Sequence, residues 1–213
     1  MRKLFVTINL GGYPVSSYDL DESWDLIAYT DSPHLYPEFT CIPISSIMSN
    51  AITSKRIKWA LAKNHLEYDV VLYADSPYSI NGGSLICFTQ LNLWHENSNL
   101  DMALVHHPLS KSISDEVQLC KNNLRWSTNN EYWLHQMLFR DVDMIGTRNM
   151  YANGIMFFKP LKVQESFKKV FDQMEYCQRD QVVFPIVNPN TSNIYTLKWN
   201  LYNNSMFTYN TLR

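Results

Sequence analysis

Asp69-Val70-Val71-Leu72-Tyr73-Ala74-Asp75 is an unbroken apolar run that opens and closes on a carboxylate. A strand with one wet face alternates apolar and polar residues, whereas a strand covered on both faces reads as continuous. The run is therefore predicted to be a central strand of an α/β sheet. Upstream, Lys3–Asn9 is a short β-rich run stopped by Gly11-Gly12, and Trp24–Thr30 is a second, stopped by Asp31-Ser32-Pro33. Residues 39–44 form a third, shorter candidate. Between these and the central run, residues 45–66 carry Met48, Ile52, Trp59, Ala62 and Leu66 near helical spacing.

Downstream, Met102–His106 reads as a strand ended by Pro108. Ile113, Val117, Cys120 and Leu124 share one helical stripe, and a further helix is expected over residues 131–140. Residues 155–158 follow Asn153-Gly154 as a strand. Residues 164–177 form the cleanest amphipathic helix, with Phe167, Val170, Phe171, Met174 and Cys177 on one face. Residues 182–186 and 194–199 read as strands. Strands alternating with helices imply a three-layer α/β/α sandwich, Rossmann-like, with a mostly parallel central sheet.

At 213 residues the chain fits one domain with a sizeable core. A net charge of −2 gives no basis for broad electrostatic binding to nucleic acid or to an anionic membrane. Aromatic residues reach 14%, a supply that suits stacking on sugars and bases as well as core packing. Cys41, Cys87, Cys120 and Cys177 lie far apart without metal-binding spacing, and read as reduced thiols of a cytoplasmic protein. The first residues read as a strand rather than a signal peptide, and no segment approaches the roughly 20 apolar residues of a membrane span. The Asn-rich tail has no clear ending, as expected of a single domain excised from a longer, multidomain protein.

In open α/β sheets, ligands bind beyond the carboxyl ends of the strands. That rule selects Asn9, Asp31, Asp75, His106 and His107. Asp75 either receives a metal-bound diphosphate, since Mg²⁺ and Mn²⁺ favour carboxylate oxygens, or caps the turn Ser76-Pro77-Tyr78. The two histidines can ligate metal, contact phosphate or simply end a strand. One of Lys55, Arg56 and Lys58 can point at a phosphate while the others lie on a solvated helix face. Arg179 suits the C-terminus of the preceding helix, leaving Asp180 and Gln181 as polar groups without a structural reason.

These segments together resemble the GT-A glycosyltransferases. Leu72-Tyr73-Ala74-Asp75-Ser76 resembles the strand that carries their DxD motif. Tyr151-Ala152-Asn153-Gly154-Ile155 is similar to the FNxG segment of glycogenin-type retaining enzymes, Arg179-Asp180-Gln181 to their DQ segment, and Leu197-Lys198-Trp199-Asn200 to their late WN segment. Lys58-Trp59, Tyr68-Asp69, Tyr73-Ala74-Asp75 and His107-Pro108 follow the order of a plant and bacterial glycosyltransferase-like block. Over the whole chain the resemblance extends to the N-terminal glycosyltransferase domain of a chlorella-virus protein associated with capsid glycans.

The resemblance implies transfer of a hexosyl or deoxyhexosyl unit from a UDP-sugar to a glycan hydroxyl, with retention, in building a capsid glycoprotein's glycan in the host cytoplasm. It implies Mn²⁺ or Mg²⁺ at Asp75, with His107 as a further ligand. Thr7 and Asn9 would meet the nucleoside, Asp31 the base and Arg56 a phosphate. Ala74 and Ser76 would bind the nucleotide-sugar beside Asp75, and Asn153, Asp180 and Gln181 would hold sugar hydroxyls, the last two as catalytic residues. Two features depart from the pattern: Pro77 stands where the second DxD acid belongs, and a late metal-ligating His element is absent before Arg213. Two rivals follow. A nucleotidyltransferase would need a basic residue after the first strand, where Leu10-Gly11-Gly12-Tyr13 has none. A non-catalytic nucleotide-sugar or glycan-binding module would show the kind of motif loss seen at Pro77.

Overall fold

The computed structural model describes residues 1–13, 18–45, 47–76, 78–80, 96–97, 99–122, 150–174, 177–188, 192–197 and 207–209. The expected helix over 131–140, Leu124 and the Trp199-Asn200 pair lie outside the described residues. In chain order the elements are β1 (Lys3–Asn9), β2 (Trp24–Thr30), β3 (Thr40–Pro43), α1 (Asn50–Asn64), β4 (Val70–Asp75), β5 (Tyr78–Ile80), β6 (Met102–His106) and α2 (Ile113–Asn122). They continue with β7 (Tyr151–Phe158), α3 (Pro160–Gln173), α4 (Asp180–Val187), β8 (Ile194–Leu197) and β9 (Phe207–Tyr209).

Seven strands form one sheet in the order β3-β2-β1-β4-β7-β6-β8, and β5 pairs with β9 in a second. β3, β2, β1 and β4 run parallel; β7 is antiparallel to both β4 and β6, and β8 is parallel to β6. The chain winds outward from β1 to β3, then crosses to the other side of β1 to lay down β4. The junction of β1 and β4 is thus a topological switch point, where a crevice opens at the strand ends.

Side chains alternate between two cores along each strand, as the pleat requires. Leu4, Val6 and Ile8 of β1 and Val71 and Tyr73 of β4 join a core that includes residues of all four described helices. Phe5, Leu72 and Ala74 face the other core, against which Tyr18, Leu20 and Phe39 pack. Burial on both faces accounts for the continuous apolar reading of β4. Cys41 and Cys177 carry reduced thiols, and among the described residues no helix is long and apolar enough to cross a membrane.

The structure corrects several expectations. α1 begins after Ser49, whose hydroxyl accepts the Ile52 N–H at 3.4 Å, so Met48 and Leu66 fall outside it and are exposed. α3 spans Pro160–Gln173 rather than 164–177, started by a proline whose missing N–H costs nothing in the first turn. Residues 182–186 are helical, within α4, not a strand. Val182, Val183, Phe184 and Pro185 are all buried, and a short helix that is apolar all round cannot be told from a buried strand by periodicity.

Candidate active site

A cavity of about 510 Å³ opens at the carboxyl ends of β1 and β4, on the helical face of the sheet. That volume is within the range of small-molecule sites. Its wall includes Ile8 and Leu10 from β1 and its exit, Tyr73, Asp75 and Ser76 from β4, and Lys55 and Lys58 from α1. His107, Gly154, Arg179, Asp180 and Gln181 line it as well.

Parity along β1 decides which strand-end residues can reach the cavity. Ile8 and Leu10 line it, so Thr7 and Asn9 point to the other face, and both are buried. The Thr7 hydroxyl donates to Ala74 O at 3.0 Å, which uses Ala74 as backbone on that face. The Asn9 amide donates to Tyr13 O and to the Tyr36 hydroxyl, both at 2.9 Å, and its oxygen accepts the Tyr13 N–H. Asp31 accepts the Gly11 N–H at 2.7 Å. Gly11 and Gly12 have φ of 107° and 64°, left-handed values suited to glycine. Asn9 and Asp31 therefore shape the turn that carries Tyr13, which is 47% exposed, onto the cavity rim. Neither lines the cavity itself.

The Asp75 carboxylate is held from one side. The Tyr73 hydroxyl donates to Oδ1, while Oδ2 accepts no hydrogen bond from a described residue. Burial pushes the Asp75 pKa up, and the Lys58 ammonium opposes that shift without cancelling it. β7 approaches closely because of Gly154: a Cβ there would stand 3.0 Å from Asp75 Oδ2 and 3.0 Å from a Tyr78 ring carbon. Gly154→Ala is expected to push the Asp75 carboxylate or the Tyr78 ring aside, with the fold kept. A crystal structure of the variant in which neither has moved would refute the close-approach argument.

β7 is bulged here. Leu104 faces Met156 while Val105 faces Ala152, so residues 153–155 have no partner on β6. Bulges re-aim groups beside active sites. The freed Asn153 carbonyl accepts the Lys58 ammonium at 3.1 Å, and the same Nζ lies 2.7 Å from Asp180 Oδ2. Trp59 Nε1 also donates to Oδ2, at 3.3 Å, and Lys55 Nζ lies 3.8 Å from Oδ1. Lys58 thus ties α1, the β7 bulge and the start of α4 together. Burial alone would raise the Asp180 pKa, but Lys58 and then Lys55 reverse this and hold it well below the carboxylate range. Burial disfavours the Lys58 ammonium, yet Asp180 and then Asp75 more than offset it and raise its pKa.

The phosphate residue expected from sequence, Arg56, is not at the cavity: its guanidinium stacks over the Phe171 ring at 5.0 Å. Residues 51, 54, 55 and 58 make the cavity face of α1, one helical stripe, and Arg56 lies off it. Lys58 is 4% exposed, so the solvated-face reading fails for it. Arg179 does not serve the end of α3. It precedes α4 and pairs with the buried Glu116, Nε to Oε1 at 2.6 Å. His107 lines the cavity with both ring nitrogens engaged: Nδ1 accepts the Ser110 N–H at 2.8 Å, and Nε2 lies 3.4 Å from Glu116 Oε2. His106 is exposed and its ring stacks on Tyr151. Asn153 is fully buried between cavity residues Ala152 and Gly154. Its Nδ2 and Oδ1, like Gln181 Oε1, have no hydrogen-bond partner among the described residues, and Asn153 itself does not line the cavity.

This arrangement, a switch-point crevice with an acid at the end of the central strand, belongs to an α/β fold of the GT-A glycosyltransferase type. Among solved structures, the chain is similar to the apo structure of the bifunctional glycosyltransferase WbbM, with a TM-score of 0.55 and 14% identity over 92% of this chain and 39% of that one. It is also similar to apo mouse xyloside xylosyltransferase 1, with a TM-score of 0.50 and 9% identity over 91% of this chain and 84% of that one. By sequence, no protein-family model and no curated protein matches the chain. At these identities the likeness is one of fold, and the chain spans well under half of WbbM.

Proposed function

We propose that the chain is a glycosyltransferase domain that binds a UDP-sugar in this cavity and transfers its hexosyl or deoxyhexosyl unit to a glycan hydroxyl. The observation that carries the reading is the Asp75 carboxylate at the end of β4, with Oδ2 uncommitted and Lys55, Lys58 and Gln181 on the same cavity wall. Retention, a capsid glycoprotein as the acceptor's carrier, and a place within a longer protein come from the sequence resemblance.

Asp75 also fits a divalent cation. Its ionised form is undercompensated by its surroundings, and one oxygen is left for a ligand. Among the described residues no three His, Cys, Asp or Glu side chains converge as a metal cluster. Mn²⁺ and Mg²⁺ are commonly held by one or two carboxylates, with phosphate and water filling the remaining positions. His107 would join only by giving up Glu116 or the Ser110 N–H. When bound, the metal supplies Lewis-acid stabilisation of the charge that builds on the diphosphate leaving group.

The chain's own residues hold the donor. Tyr73 orients Asp75 through its hydroxyl. Lys55, whose pKa burial lowers against the pull of Asp180, presents an ammonium to the phosphates. Buried polar groups are normally hydrogen-bonded, so the unpartnered Gln181 Oε1, in the cavity wall, suits a sugar hydroxyl. Tyr13 offers a ring face to the base. A uracil base is what the sequence resemblance implies, so UDP is expected to bind about tenfold more tightly than GDP or ADP, roughly 1.4 kcal/mol. A thermal-shift panel in which GDP matches UDP would defeat that. UDP release from a panel of UDP-sugars with Mn²⁺ tests the whole reading; binding without any release would favour the non-catalytic nucleotide-sugar module suggested by Pro77.

A further inference from the structure

Glu116, in the first turns of α2, is fully buried, and its two oxygens serve two stretches of the cavity wall. Oε1 takes the Arg179 guanidinium through Nε at 2.6 Å and through Nη2. Oε2 accepts the Ser110 hydroxyl and lies 3.4 Å from His107 Nε2. Because Nδ1 of His107 accepts the Ser110 N–H, the proton of the neutral ring sits on Nε2 and points at Glu116. One carboxylate therefore fixes His107, just after β6, and Arg179, just before α4.

The second contact matters for the site. Arg179 is the N-cap residue of α4, and its side chain makes no capping bond to that helix. Ser, Thr, Asp or Asn would ordinarily secure a helix start through its own side chain. Here the start is held from outside, by α2. The first two residues of α4 are Asp180 and Gln181, both in the cavity wall.

We propose that Glu116 is a positioning residue of the transfer site: by holding Arg179 and His107 it sets the start of α4, and with it the placement of Asp180 and Gln181 against the donor sugar. The inference rests on the glycosyl-transfer reading. A purely structural ion pair would contribute stability alone, and the two roles separate in a double-mutant cycle.

The test compares Glu116→Gln, Arg179→Met and the double variant, assayed at a temperature where circular dichroism shows them folded. Glu116→Gln strands a buried guanidinium, so its melting temperature should fall; the double variant removes both charges and should recover most of it. Turnover of the UDP-sugar that the parent accepts should nonetheless stay at least about tenfold below the parent in the double variant. UDP affinity by calorimetry should stay within about twofold, well inside the factor of ten that 1.4 kcal/mol represents. Turnover that recovers along with stability overturns the proposal, as does a double variant that folds at no temperature. If the parent turns over no UDP-sugar, it is the transfer reading that has failed. The proposal is then judged on the ratio of UDP-sugar to UDP affinity, which must drop in the double variant for it to stand.

Discussion

Asp75→Asn is expected to lower Mn²⁺-dependent UDP affinity by about 100-fold, roughly 2.7 kcal/mol, while leaving the fold intact. The amide keeps the shape and can still accept the Tyr73 hydroxyl, but it lacks the charge that a hard cation requires of its oxygen ligand. With a single carboxylate committed to the ion, no neighbour takes over. A second consequence has the opposite sign. The folded-state pKa of Asp75 is raised, so the ion-free parent is at full stability at low pH and loses some as pH rises from the unfolded value of about 3.9 towards the folded one. The asparagine variant escapes that loss and should be at least as stable as the ion-free parent at neutral pH. Calorimetry with and without Mn²⁺, and urea denaturation at neutral pH, read the two effects. Equal metal-dependent affinity in parent and variant would falsify the metal assignment.

How much of this was legible in the sequence depended on whether a signal was local. β1, β2 and β6 have the bounds their apolar runs suggest, because glycine, Asp-Ser-Pro and proline punctuate their ends. Asp75, Asp180 and Gln181 were singled out, and all three line the cavity. What failed was whatever depends on which way a side chain faces. Thr7, Asn9 and Ala74 are next to cavity residues in sequence and on the opposite face of the sheet. Arg56 differs from Lys55 by one helical position, enough to send it to Phe171. α4 read as a strand because burial on all sides erases periodicity. Glu116 carried no signal: an acid early in a helix looks the same in sequence whether it is solvated or, as here, the buried partner of Arg179 sixty-three residues away.

Asp180→Ala is expected to reduce stability by about 3–5 kcal/mol, the range for removing one partner of a buried ion pair. From sequence alone Asp180 looked like a group for the sugar that hardly matters for the nucleotide, or else a local partner of Arg179. The structure gives it a second task. Its side chain is 1% exposed, and removing it strands the Lys58 ammonium, 5% exposed, as well as the Trp59 indole N–H. Asp180→Ala with Lys58→Met should recover much of the loss, since no unpaired charge is then buried. The pH dependence has a definite sign. The pair depresses the folded-state pKa of Asp180, so its contribution is complete above the unfolded value of about 3.9 and fades as pH falls below it. Stability of the parent should therefore drop more steeply on acidification below about pH 4 than that of Asp180→Asn, as read by urea midpoints across that range. At a temperature where Asp180→Asn remains folded, UDP-sugar turnover should fall by more than UDP affinity, because on the proposed reading the start of α4 would face the sugar while Asp75 and Lys55 would hold the diphosphate. Parallel acid profiles for parent and variant would show that the Lys58 pair contributes nothing to the fold. Equal losses for UDP and UDP-sugar would show that Asp180 acts on the whole cavity rather than on its sugar end.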